Sequence, residues 1–435
     1  MTVTVQSVPS PRHRTHAIDR AFLSLERTHP DVRWDTGGVA YLSGPPPKLA
    51  DLRAYVGMSL PGLPMLASRV EGRTRRSRWQ QDADFDVDRH VHEAVADGPA
   101  EWEPAMDTAL NTPLPPGTHW GIWLVHGHAP DEYAVCYRFR HACQDGSAAA
   151  VVFRALLGGG EPSARPVLRV GRRADMPRRA GRALGLAAKF GYDALVGRGG
   201  SQAAPFVPTG ERRLWRGRTP LADLRHIGAT AGGSAHDVHL AALAGALSAW
   251  SVESGVPLPR VSALVPVDAR RQDEEQTWGN RCFALPVNLP VDPVPGPGGS
   301  AGGHSPRQRL ERVMATTAKL RSEPWRQGIQ DLVRFMPDRP TEWYLRKVMS
   351  RRVTDILATS MPLSEEGVLG ATQVTGTALL PLVFPGHLFG VGLSFFGTWA
   401  EVSFVTDRAL PLAERLPALW ERAVDDLRPD PVDGP

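Results

Sequence analysis

The run His141-Ala142-Cys143-Gln144-Asp145-Gly146 carries the clearest chemistry in this chain. A neutral imidazole is the side chain best suited to accept a proton near pH 7, so His141 is a candidate general base. Its natural task would be to deprotonate a hydroxyl or amine that attacks an acyl carbonyl. Asp145, four residues on, falls where the chain must turn, and is placed to fold back and fix that turn. Gly146 permits a left-handed or crowded backbone there. A His-x-x-x-Asp spacing also arises by chance, and taken alone it reads as a structural histidine. Its setting reverses that preference: a strand leads in, a glycine follows, and a small, apolar helix comes next. Cys143 sits inside the motif, where it is either a nucleophile or, by preference, a packed wall residue.

The elements that must position these groups are visible as periodicities. Tyr133, Val135, Tyr137 and Phe139 alternate with Ala134, Cys136 and Arg138, the period of a strand that delivers His141 at its end. Residues 120–125 read as a neighbouring strand. Residues 147–157 are small and apolar and read as a buried helix, stopped by Gly158-Gly159-Gly160. Upstream, residues 17–25 read as a helix, and residues 50–70 as another, interrupted by Pro61 and Pro64. The basic cluster at residues 73–78 belongs on a loop, as a solvated turn in preference to a phosphate contact. Residues 172–200 run from basic to apolar to glycine-rich, which suits a surface helix followed by a linker. Because arginines flank its apolar stretch, a membrane-surface helix is the alternative there.

The second half opens with a strand near residues 212–215. A strong helix follows over residues 234–251, with Ser234 and Asp237 spaced as a capping box. Residues 261–267 and 282–289 read as strands, and 294–306 as a Pro/Gly-rich loop. A helix to about residue 321 starts from the box Ser305-Pro306-Arg307-Gln308. Another helix is expected over residues 341–353, strands over 391–395 and 400–405 around Gly397, and a final helix over 412–427. Strands and helices interleave in both halves, so the fold class is α/β or α+β.

Composition narrows the function classes. The 435 residues are 42% hydrophobic and 22% charged, a globular composition with length for two or three domains. Fifty Lys and Arg against 46 Asp and Glu give a formal charge of +4, which offers no push toward nucleic acid. Three scattered cysteines (Cys136, Cys143 and Cys282) fit neither a disulfide framework nor a Cys-based zinc site. No apolar run approaches the roughly 20 residues of a membrane span, and residues 1–10 lack a signal-peptide core. A cytoplasmic setting is the expectation. The pairs His90/His92 and His126/His128 have the spacing of zinc ligands on a strand, but no third ligand follows either. Phosphate-loop, dinucleotide and nucleophile-elbow signatures are absent from the sequence.

At this point the chain resembles a known family. Arg140-His141-Ala142-Cys143-Gln144-Asp145-Gly146 is similar to the His-His-x-x-x-Asp-Gly motif of bacterial wax ester synthase/diacylglycerol acyltransferases. That family shares motif and fold with condensation domains and chloramphenicol acetyltransferase. Asp19-Arg20-Ala21-Phe22 with Leu23-Ser24-Leu25-Glu26 resembles the family opening, and 85–91 and 120–125 resemble later segments. In the second half, Val265-Pro266-Val267-Asp268-Ala269-Arg270 and Gly279-Asn280-Arg281 resemble the C-terminal signature, and 392–408 the closing hairpin. These pieces occur in the family order across most of the chain.

The resemblance implies an α/β pseudo-dimer of two acetyltransferase-like subdomains with an active-site tunnel between them. They would cover residues 1–195, carrying the motif, and 211–435, joined by a linker at 196–210. It implies that His141 is the general base in that tunnel and that Asp145 orients the motif through an arginine, for which Arg270 is the candidate. Gly146 and Asn280 are implied as supports, and Ser360 as an oxyanion or substrate contact. The implied reaction moves an acyl group from a CoA or carrier-protein thioester to a small alcohol or amine, with no metal and no cofactor. A monomer is expected, and a peripheral membrane contact is compatible with the flanked helix at 172–200. Four departures mark a specialised member, such as one acylating a natural product. Arg140 replaces the first motif histidine, Met361 replaces an asparagine after Ser360, His236-Asp237 replaces an Asn-Asp pair, and Thr118-His119-Trp120 replaces Pro-Leu-Trp. They also motivate two alternatives: a catalytically silent member that binds a carrier protein or lipid, and a condensation-type enzyme joining two carrier-bound units.

Overall fold

A computed structural model describes residues 14–72, 77–158, 176–196, 206–270, 279–292, 303–363, 366–384 and 386–429. In chain order the first half forms α1 (Ala17–Thr28), β1 (Asp35–Ser43), α2 (Leu49–Ser59), β2 (Ser68–Glu71), β3 (Arg78–Gln81), β4 (Val91–Val95) and α3 (Trp102–Asn111). It continues with β5 (Trp120–Ala129), β6 (Glu132–Arg140), α4 (Gly146–Leu156) and α5 (Met176–Val196). The second half forms β7 (Arg212–Pro220), α6 (Leu221–Ala231), α7 (Ala235–Ser254), β8 (Val261–Asp268), β9 (Cys282–Leu289), α8 (Pro306–Arg321), α9 (Glu323–Phe335) and α10 (Asp338–Val348). It closes with β10 (Ile356–Pro362), β11 (Val368–Leu369), β12 (Thr372–Leu380), β13 (Phe389–Phe396), β14 (Trp399–Asp407) and α11 (Leu416–Asp425).

Two six-stranded sheets result, in the orders β11-β12-β1-β6-β5-β4 and β7-β14-β13-β10-β8-β9. The first carries α2 and α4 on one face and α3 on the other. The second buries α7 and α11 on one face and packs its other face toward α1, α9 and α10. Helix α7 is apolar around most of its circumference because it is buried on all sides, and so it lacks the one-sided stripe of a surface helix. Its capping box is formed as the sequence indicated, and it stops at Gly255, whose φ of 69° is a left-handed cap. This is an α/β fold of two similar halves.

The boundary at 196–210 does not divide the chain cleanly. After β10 in the second sheet, the chain crosses to the first sheet, adds β11 and β12 beside β1, and returns as β13. So residues 368–380 of the expected C-terminal subdomain complete the N-terminal one. Glu401 on β14 accepts hydrogen bonds from the Thr377 hydroxyl (2.8 Å) and backbone amide of β12, which ties the crossing strand back to the second sheet. Asp35 makes a second weld, accepting from Arg138 of its own sheet (2.8 Å) and from Arg212 of β7 (2.7 Å). Burial alone would push that carboxyl up, but the two guanidinium groups hold it down at about 2.

Several local expectations need correction. Residues 50–70 form α2, two short 3-10 turns beginning before Pro61 and at Pro64, and then β2, because each proline removes a helical N–H. The helix expected at 341–353 starts at Asp338 and ends at Val348. Strands β1, β3, β4, β10, β11 and β12 and helices α3, α6 and α9 are additional elements. Residues 73–76 of the basic cluster lie outside the described residues, as do 197–205 of the linker and 293–302 of the Pro/Gly-rich loop. Among the described residues, no helix is long and apolar enough to cross a membrane.

Candidate active site

Strand β6 lies between β1 and β5 and delivers the motif at its end. The chain leaves the sheet at Arg140, and the His141 amide donates to the Trp34 carbonyl (2.9 Å), which holds the departing backbone beside the start of β1. Asp145 then caps α4, accepting from the Ala148 amide at 3.0 Å. Gly146 begins that helix with ordinary backbone angles; the left-handed conformation allowed from sequence is not used. Crowding is present instead, since a Cβ on Gly146 would stand 2.6 Å from Cε of Met361 on β10.

Arg270, just past β8, reaches the motif from the other half. Its Nη1 lies 2.5 Å from both Asp145 carboxylate oxygens, and its Nη2 donates to the Gly279 carbonyl at 2.7 Å. The Arg281 amide adds a further bond to Asp145 at 2.8 Å. Burial would raise the Asp145 pKa; the Arg270 charge and the two backbone donors outweigh it, and the carboxyl titrates below its usual range. Asp145 is therefore a fixed anion that joins β8, the 279–281 segment and α4. A parallel bridge between Gln144 and Gly279 strengthens the same junction.

His141 is half-buried, with its ring stacked on Phe22 of α1 at 4.4 Å between centroids. Its Nδ1 lies 3.1 Å from Oδ1 of Asn280. The Asn280 side-chain nitrogen donates to the His141 carbonyl (2.8 Å) and to Asp19 (3.0 Å), two groups that can only accept in this network. This fixes the amide orientation, so Asn280 presents its oxygen to Nδ1, and Nδ1 must carry the proton. Nε2 is left with its lone pair. Burial lowers the His141 pKa, with Asp145 and Asn280 opposing, so the ring is neutral at neutral pH.

Asp19 supports Asn280 from α1. It accepts the Asn280 amide at 2.7 Å and the His16 amide at 2.6 Å, and it is the capping acid of its own helix. A Cβ on Gly279 would stand 2.7 Å from the Asp19 carboxylate, and φ there is 58°, so both space and backbone favour glycine. The sequence placed Asp19 and Phe22 in a helix without a role at the site. A capping acid three residues after His16 was the available signal, and histidine is not among the usual caps.

Arg140, at the position of the first motif histidine, pairs with buried Glu26 of α1, which neutralises the charge it brings. Cys143 is buried, and burial pushes its thiol well above the usual range, so it is a wall residue. The His90 and His92 rings pack against Trp120 and Trp123, while His126 and His128 face Glu93 and Glu132. Among the described residues no three His, Cys, Asp or Glu side chains are grouped to hold a metal ion. Ser360 points away from Met361 on β10, and its Oγ lies 3.0 Å from Nδ1 of His236 in the first turn of α7.

The sheet in front of the motif is open. Parallel strands β8 and β10 pair only at Ala263/Ile356 and Leu264/Leu357, then diverge. The N-terminus of α4 bridges the two free ends: Ser147 donates to Asp268 at 3.1 Å, and Met361 abuts Gly146. Residues 141–147 thus stand at a gap between two strands, at the junction of the halves.

Comparison with known proteins fits this arrangement. Residues 16–190 match the family model described as the wax ester synthase/diacylglycerol acyltransferase catalytic domain. That stretch is similar to the catalytic domain of these acyltransferases. A Mycobacterium tuberculosis protein named "Putative diacyglycerol O-acyltransferase" is 27% identical over 383 residues, covering 77% of this chain and 75% of its own. A Mycobacterium bovis protein of the same name is 23% identical over 408 residues, covering 84% and 83%. Among solved structures, the wax ester synthase/diacylglycerol acyltransferase of Marinobacter aquaeolei VT8 superposes with a TM-score of 0.62 at 14% identity, covering 95% of this chain and 98% of its own. The first condensation domain of the calcium-dependent antibiotic synthetase gives 0.64 at 18%, covering 96% of each. Both solved structures share the fold of this chain. This protein carries β6, the motif and α4 within the matched stretch. Its Arg270 and Asn280 lie beyond the matched residues and are brought to the motif by the second half.

Asn280 offers a direct test of the tautomer argument. An Asn280→Leu variant loses the acceptor that keeps the proton on Nδ1, and ring misplacement of this kind costs about 100-fold in turnover. Nitrogen-15 NMR of ring-labelled protein should show His141 Nδ1 protonated and Nε2 bare in the parent, and a tautomer mixture in the variant.

Proposed function

We propose that this protein transfers an acyl group from a CoA or carrier-protein thioester to the hydroxyl of a small-molecule alcohol, with His141 as general base. The acceptor hydroxyl gives its proton to Nε2 as its oxygen bonds to the thioester carbonyl carbon. The tetrahedral oxyanion then collapses, the carbon–sulfur bond breaks, and the imidazolium returns the proton to the leaving thiolate. Written this way, the reaction consumes no cofactor. Asp145 stays ionised against Arg270 throughout and acts by holding the turn, as the orienting acid does in other triads.

The observation that carries this reading is the Asn280 amide, whose committed donors leave His141 with Nε2 as its free base. The relatives named for diacylglycerol O-acyl transfer favour an oxygen acceptor over an amine. Exposed Leu184, Tyr192 and Leu195 on helix α5 support a peripheral contact with a lipid surface. The test is thiol release, followed with a thiol reagent, from a panel of acyl-CoA thioesters with and without medium-chain alcohols. Release that requires both the alcohol and His141, with the ester found by mass spectrometry, is the expected result. Thioester consumption unchanged in a folded His141→Ala protein would sink it.

A further inference from the structure

Behind the gap between β8 and β10 lies a second histidine that the reaction above does not use. Along β10, Ile356, Ala358 and Ser360 face α7, whereas Met361 faces the motif. Ser360 therefore looks through to the far side of the sheet, where His236 meets it at 3.0 Å. Both side chains are half-buried. The second ring nitrogen of His236, Nε2, has no hydrogen-bond partner among the described residues. Asp237 beside it is already committed to Ser234 at 2.8 Å, to Thr317 and to Arg321, so it does not anchor the ring.

We infer that His236 and Ser360 form a hydrogen-bonding subsite for a second hydroxyl group carried by one of the two substrates. Burial keeps the His236 ring neutral, opposed by Asp237 and aided by Arg321. A neutral imidazole bonded to a serine hydroxyl presents one donor and one acceptor between them, the complement of an alcohol O–H. A site that met only hydrocarbon would do better with an apolar side chain, since an unmet polar group in a dry site costs about 1–3 kcal/mol. This inference rests on the acyl-transfer reading and narrows it to hydroxylated substrates. The hydroxyl belongs either to the acceptor, as in a diol, or to the acyl chain, as in a hydroxyacyl thioester.

The experiment compares matched pairs in wild-type and His236→Leu protein: 1,2-octanediol against 1-octanol, and 3-hydroxydodecanoyl-CoA against dodecanoyl-CoA. Dissociation constants are read from intrinsic tryptophan fluorescence or calorimetry, and kcat/KM ratios from thiol release, so losses common to both members of a pair cancel. A site that hydrogen-bonds a substrate hydroxyl should favour the hydroxylated member by about tenfold or more. The wild type is expected to show that preference in one pair, which identifies the substrate, and His236→Leu to bring it within about twofold of unity. His236→Asn, which keeps a donor and an acceptor, should retain part of it. Equal ratios in both proteins for both pairs, with matching melting curves, would overturn the subsite and leave acyl transfer standing. If no thioester gives His141-dependent thiol release, acyl transfer fails instead, and the dissociation-constant ratios still decide the subsite.

Discussion

Replacing His141 by alanine should lower turnover by roughly 100- to 10,000-fold while the protein remains folded, because a positioned general base contributes about that much. The ring is half-buried and touches Phe22 on one face, so its removal leaves a modest space and not a broken core. The pH dependence provides an independent check. Burial lowers the His141 pKa, so the neutral, competent form persists below the ordinary histidine value of 6.5. The acid limb of kcat/KM should therefore lie below pH 6.5, with activity lost only as pH falls through the lowered pKa. In His141→Ala the residual rate should lack that limb. An unchanged limb in the variant would assign it to another group and remove His141 from the proton transfer.

The second large effect is on stability. Arg270→Ala leaves the Asp145 carboxylate buried with only its two backbone donors, and breaking a buried pair from one side costs about 3–5 kcal/mol. Against a typical total of about 5–15 kcal/mol, that is a large share, and chemical denaturation should show it directly. Asp145→Leu combined with Arg270→Met removes both charges and should recover part of the loss. Recovery stays incomplete because the Ala148 and Arg281 amides lose their acceptor. The pH sign follows from the depressed Asp145 pKa. The stabilisation is present above the unfolded value near 3.8 and is lost as pH falls through the lower folded value. The wild-type advantage over Arg270→Ala should therefore shrink in strong acid. A midpoint within experimental error of wild type would show that this junction does not hold the halves together.

Much of the site was legible from residue order. The alternation from Tyr133 to Phe139 placed His141 at a strand end, because a β-strand imposes a period of two that few other structures share. Asp145, Gly146 and the small residues of α4 are local to that turn, and their joint meaning needs only chain geometry. Similarity to a known family supplied Arg270, Asn280 and Ser360 by order of segments. What those three do was not readable from the pattern. Ser360 is engaged by His236, a neighbour 124 positions away in the chain. The crossing strand β12 was missed for a related reason. Gly376 interrupts its pattern, and the strand that completes it, β1, has its own alternation blurred by Gly37 and Gly38.

The sequence by itself determined where the motif histidine would emerge, which residues cap and tighten the turn beside it, and that strands and helices interleave in both halves. All of these depend on backbone periods and on neighbours a few residues apart. The tertiary structure alone decided which nitrogen of that histidine is free, since the proton on Nδ1 is set by Asn280 and Asp19, groups 139 residues and more apart along the chain. It also decided that β8 and β10 part in front of the motif and that a second histidine waits behind them. Hydrogen-bond direction and strand divergence are properties of groups meeting in space, and no spacing along one chain encodes them.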